Sequence, residues 1–100
     1  MIVCLINIRL HLFSVHSLKE KRGIIKSLMD KTRHKFHLSV AEVGDHDIWQ
    51  SSQVGIALVG NSKVLLEREM TKILDFIEES AQAEIVAVAH EFWAYSGDEH

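Results

Sequence analysis

The spacing of apolar residues switches four times along this chain, and the order of those switches limits its fold more than any other feature. Residues 2–12 alternate: Ile2, Cys4, Ile6, Ile8 and Leu10 take one side, and Val3, Leu5, Asn7, Arg9 and His11 the other. That two-residue repeat belongs to a strand with one buried face. From Ser17 to about Phe36 the spacing is helical, with Leu18, Ile25, Leu28, Met29, Thr32 and Phe36 on one side and Ile24 beside them. The stretches LSVAEV (38–43) and VGIALVG (54–60) read as strands, separated by the ten-residue connection GDHDIWQSSQ. Asn61 or Ser62 then caps a second helix to about Glu79, with Leu66, Met70, Ile73, Leu74 and Ile77 facing the core. A last strand, rich in small and β-branched residues, runs from Glu84 to about Tyr95.

The order is β-α-β-β-α-β. Two split βαβ units with right-handed crossovers give an α+β fold of the ferredoxin-like kind, a four-stranded antiparallel sheet with both helices on one face. Residues 1–95 form one domain, and the acidic end SGDEH (96–100) is expected to fray. One hundred residues leave room for a single core, and 47% hydrophobic with 25% charged residues is globular composition. No apolar run approaches the roughly 18–20 residues that span a bilayer. The apolar opening alternates, carries Arg9 and His11, and lacks a small-residue cleavage site, so it reads as a strand and the protein as cytoplasmic. The lone Cys4 excludes an intrachain disulfide and a cysteine zinc cluster, and its place among Ile2, Ile6, Ile8 and Leu10 marks it as a buried, inert thiol.

This fold leaves one sheet face without helices. On it the sequence places Val3, Leu5, Asn7, Arg9 and His11 from the first strand, and Gly55, Ala57 and Val59 from the third. Such a face binds something or pairs with a second copy. Its central strands offer no aromatic residue on which a base could stack, so an RNA-recognition-motif mode is disfavoured.

Charge is distributed unevenly. Residues 1–37 carry eight Lys/Arg against two acidic residues, a net of +6, and residues 38–100 carry three against twelve, a net of −9. The first helix concentrates the contrast. Ser17 and Glu20 form a capping box, with the Ser17 hydroxyl accepting from the Glu20 amide and Glu20 reaching back to the Ser17 amide. Lys19, Lys21 and Arg22 follow in the first turn and a half, where cations oppose the helix dipole by ~0.3–1 kcal/mol each. The same end, with spare amides and three cations, suits a phosphate or another anion. Lys19, Arg22, Lys26 and Arg33 line a stripe interrupted by Asp30, while Lys21 points toward the apolar side, where its stem can cover the core and lift the ammonium outward. Ser17, Lys19, Lys21, Arg22 and Lys26, with Arg9, are therefore the candidate anion or RNA contacts. The plainer alternative is a solvated face with Lys26–Asp30 and Asp30–Arg33 pairs.

The connection between the middle strands supplies a second candidate, a partner-binding loop of Asp45, Asp47, Trp49 and Gln50. Asp45, His46 and Asp47, even with Glu42, lack the spacing of a metal site, so no metal or cofactor is expected. Turn chemistry explains Gly44 and Asp45, and Asp47 with Gln50 suits the cap of a short helical turn. Trp49 either plugs the core or anchors a partner, and burial habits favour the plug. The pairs His11/His16 and His34/His37 lack a third ligand, and His90 reads as a packed or hydrogen-bonded strand residue. No nucleophile–base pair or phosphate loop is recognisable, which leans away from an enzyme.

Two segments, HSLKEKRGIIKSL and LSVAEVGDHDIWQSSQVGIALV, together resemble the YlxP-like family of small bacterial proteins of unassigned function. The resemblance covers residues 1–92. It carries over onto Ser17, Leu18, Lys19, Glu20, Lys21 and Arg22, and onto Glu42, Gly44, Asp45, Asp47, Trp49 and Gln50. Gly23 departs from the pattern, standing where a bulkier residue is usual, at about 1 kcal/mol of helix propensity. The resemblance implies a ferredoxin-like fold, a bacterial cytoplasmic protein and, through the family's frequent gene neighbourhood with translation and ribosome-maturation factors, a role near the ribosome or RNA. Three expectations follow. The first is an accessory protein that contacts RNA phosphates through the basic helix start. The second is a homo-oligomeric interaction module using the open sheet face and the Trp49 loop. The last is a small-molecule enzyme or sensor with an anion pocket at Ser17.

Overall fold

The computed structural model describes residues 1–97, so residues 98–100 of the tail expected to fray lie outside the described residues. Its elements are β1 (Ile2–Leu12), α1 (Leu18–Lys35), β2 (Ser39–Gly44), β3 (Ser51–Gly60), α2 (Lys63–Glu78) and β4 (Ala83–Ala94). The strands form one antiparallel sheet in the order β2-β3-β1-β4. This is the ferredoxin-like arrangement that the period switches predict.

Parity decides which face the core takes. In β1 the even residues Cys4, Ile6, Ile8, Leu10 and Leu12 are buried, and in β3 Val54, Ile56 and Leu58. They meet Ile25, Leu28 and Phe36 from α1 and its end, and Leu66, Ile73 and Ile77 from α2. Each fully buried Ile or Leu contributes about 1.5–3 kcal/mol, so the even register of β1 alone outweighs any slip to the odd one. Burial raises the Cys4 thiol pKa, with Glu67 adding a smaller push, as befits an inert thiol. Phe36 ends α1, and its ring meets Phe76 of α2 edge-on at 5.6 Å.

Two irregularities shape the sheet edges. Val43 is an extra residue between Glu42, opposite Val54, and Gly44, opposite Gln53. Val86 is extra between Ile85, opposite Leu10, and Ala87, opposite Arg9. Such bulges bend edge strands and re-aim side chains. Here the first lays Val43 over Gly55, where an added Cβ would come within 2.9 Å of the Val43 side chain. Strand β3 also begins earlier than the sequence predicts, at Ser51, which cuts the expected ten-residue connection to residues 45–50. Ser51 and Ser52 pair with His11 and Leu10 of β1, and this pairing extends the strand where hydrophobicity gives no signal.

Candidate functional site

One of the three cations at the helix start predicted to face an anion is bound into the protein. Ser17 caps α1 and accepts from the Glu20 amide at 3.1 Å. The return bond of the capping box differs from expectation: Glu20 accepts from the His16 amide at 3.4 Å, one residue earlier than Ser17. The larger correction concerns Lys21. Its side chain is 0% exposed, and its ammonium turns inward to Glu42 Oε2 at 3.2 Å and donates to the Asp45 carbonyl. The stem follows the apolar side, as its helix position requires, but a carboxylate waits at the core's margin and the ammonium stays there. Lys21 is therefore withdrawn from the surface.

Around this pair Asp45 and two serines of β3 converge. Glu42 Oε2 also accepts from Ser52 Oγ at 2.6 Å. Ser51 Oγ donates to Asp45 Oδ2 at 2.7 Å, and that bond, aided by Gln53, Arg9 and Lys21 against some desolvation, holds the Asp45 carboxyl below its ordinary pKa. Asp45 sits at φ 58°, a left-handed position that Asp and Asn tolerate better than most residues. The Ile48 amide donates back to the Asp45 carbonyl, and the Gln50 carbonyl accepts from the Leu12 amide at 2.9 Å. The junction thus joins α1, the β2–β3 connection and the end of β1. No buried side-chain nitrogen or oxygen among the described residues lacks a partner.

The other predicted contacts separate. Arg22 reaches Asp47 at 3.9 Å, with both side chains largely in solvent. Lys26 pairs with Asp30 at 3.3 Å, and Asp30 also takes Arg33 at 2.9 Å. Lys19 is exposed on the helix layer, whereas Arg9 is exposed on the opposite, open face of the sheet. Residues 45–50 make two turns without the expected helical turn, so Asp47 and Gln50 cap nothing. Trp49 is 47% exposed beside exposed Ile48, which corrects the expectation of a core plug. His46 Nε2 meets the Glu42 carbonyl at 3.1 Å, and His90 is exposed with its ring edge-on to Phe92 at 5.7 Å. No three His, Cys, Asp or Glu among the described residues are placed to share a metal ion. No helix of the described residues is long and apolar enough to cross a membrane.

The open sheet face offers a different chemistry. Asn7, Arg9 and His11 of β1 are exposed at one end, near Gln53, to which Asn7 Nδ2 donates at 3.5 Å. Toward the other end most residues are apolar, Val3 and Leu5 of β1, Ala57 and Val59 of β3, Val43 of β2, and Ala89 and Trp93 of β4, with Glu91 opposite Leu5 and Ser39 opposite Ala57 among them. Val59 is 65% and Trp93 62% exposed. The central strands bring no aromatic to this face, and spacing along the last strand assigns it no faces. The bulge at Val86 hides its parity, and register against Val3 is what brings Trp93 to the open side. Between these residues lies a depression of about 630 Å³ whose lining includes Leu5, Ala41, Val43, Gly55, Ala57 and Ala89.

Comparison with known proteins adds family but no activity. A family described as a protein of unknown function, DUF503, matches residues 3–90. A Bacillus subtilis protein described as uncharacterized protein YlxP is 37% identical over 73 residues, which are 73% of this chain and 79% of that protein. The chain belongs to this YlxP-like, DUF503 family.

Proposed function

We propose that the protein is a non-enzymatic interaction module whose uncovered sheet face receives a protein surface. One observation carries this: Val3, Leu5, Val43, Val59 and Trp93 share a face that no helix covers, although large apolar side chains grouped on a surface are costly to leave in water. Interfaces favour this composition, an apolar centre with an aromatic anchor and a polar margin, here Asn7, Arg9 and His11. Contact with RNA phosphates would fall instead to Lys19, Arg22, Lys26 and Arg9. Arg22 and Lys26 already face a carboxylate, and Arg9 lies on the opposite face of the sheet from the other three.

The test is a photo-crosslinking amino acid placed in the cell of origin at Val59, at Lys19 or at the exposed Lys72 of α2. The module predicts protein adducts from position 59 and few from 19 or 72. RNA adducts from position 19, with none of protein from 59, would overturn it.

A further inference from the structure

We infer that the partner is a second copy of this chain, and that each protomer seats its Trp93 in the depression on the other's sheet face. This rests on the interaction role proposed above and adds the occupant. The face carries both halves of a complementary pair. Trp93 stands out from edge strand β4, and its Nε1 donates to Glu91 Oε2 at 2.8 Å, which fixes the indole's orientation in advance. The depression has small residues at its base, Ala41, Gly55, Ala57 and Ala89, with Leu5 and Val43 standing beside them. Its 630 Å³ exceeds what one indole fills.

Position makes the pair self-complementary. Trp93 lies opposite Val3, whereas the depression centres on Leu5 and Asn7 and their partners Ala57 and Gly55. At about 4.8 Å between strands and 3.3 Å per residue, knob and hollow are separated by roughly 12 Å. A two-fold axis between two facing sheets, crossing the midpoint of that line, exchanges them, which is the isologous contact of a closed dimer. Four strands of this length present a face of roughly 20 by 30 Å, on the order of the ~800 Å² per partner that a standard interface buries. Glu91 lies near that midpoint, so its two copies approach one another across the axis. Its carboxylate, which also lines the depression, opposes the contact.

The test removes the knob and fills the hollow on separate chains. Trp93→Ala and Ala57→Phe, with Ala89→Leu as a second filler, change exposed or half-exposed positions, and dichroism checks that each remains folded. Sedimentation equilibrium should show wild-type dimer, and each variant alone at least about 30-fold weaker in self-association. An equimolar mixture of Trp93→Ala with either filled variant should recover dimers of one chain of each kind, tighter than either variant alone, because one knob and one hollow survive. Dimers of Trp93→Ala as tight as wild type, or a mixture that stays monomeric, would overturn the inference. So would a monomeric wild type; if position 59 still crosslinks to another protein, the interaction role stands and only the identity of its partner falls.

Discussion

The Lys21 junction and the apolar part of the open sheet face stand at opposite ends of the same strands and differ in how fully their chemistry is satisfied. At the junction every charge has found an internal partner: Lys21 with Glu42, Glu42 with Ser52, and Asp45 with Ser51. On the open face Leu5, Val43, Val59 and Trp93 keep 40–65% of their surface in water, although the Trp93 indole nitrogen has Glu91. A distinctive polar motif can thus mark a structural lock, while plain alanines, valines and a tryptophan mark the surface with an unmet need. The comparison breaks or sharpens at several points.

The largest effect should come from the lock. Lys21→Met strands Glu42 in a largely buried site and should cost about 3–5 kcal/mol in urea unfolding. Adding Glu42→Leu should recover part of that loss, because breaking a buried pair costs more than replacing it. Additive losses would mean that the two side chains act separately.

On the open face the effects should reverse in kind. Trp93→Ala should leave the unfolding of the monomer within about 0.5 kcal/mol, as for most surface changes, while greatly weakening association. Glu91→Gln keeps an acceptor for the indole and removes the opposing charge, so it should tighten association several-fold by sedimentation.

A smaller effect sharpens the junction by pH. Asp45→Asn tolerates the left-handed backbone, so it isolates the charge. The folded pKa of Asp45 lies below the ordinary value of 3.8, so its ionised form favours the folded state. Its stabilising share is complete above that value and disappears as pH falls through the folded pKa. The stability gap between wild type and variant should therefore be constant near neutrality and close at acid pH. A gap that widens on acidification would reverse the sign.

The smallest effects lie on the exposed side of α1. Gly23 has open space where a Cβ would go, so Gly23→Ala should stabilise by about 0.4–1 kcal/mol. Lys19→Glu should also stabilise, by ~0.3–1 kcal/mol, through the helix dipole. Loss of RNA binding on that change would instead give Lys19 an anion to face.

The fold was legible because period and parity are properties of consecutive residues. The even side of β1 and the core faces of both helices follow from spacing alone. The sites were less legible, because their meaning depends on distant partners. Lys21 reads as an anion contact until Glu42, from strand β2, is beside it. Trp49 reads as a plug because nothing in its neighbours says that residues 45–50 turn outward. Trp93 acquires its face only through register with Val3, across a bulge that composition does not announce.

The most direct measurement is sedimentation of the wild-type protein over a wide concentration range at low and high salt. Burial of the open face predicts a mass that rises to that of a dimer and changes little with salt, because apolar contact is poorly screened. A monomer at every concentration, joined by RNA binding that falls steeply as salt rises, would contradict it and return the function to the charged helix start.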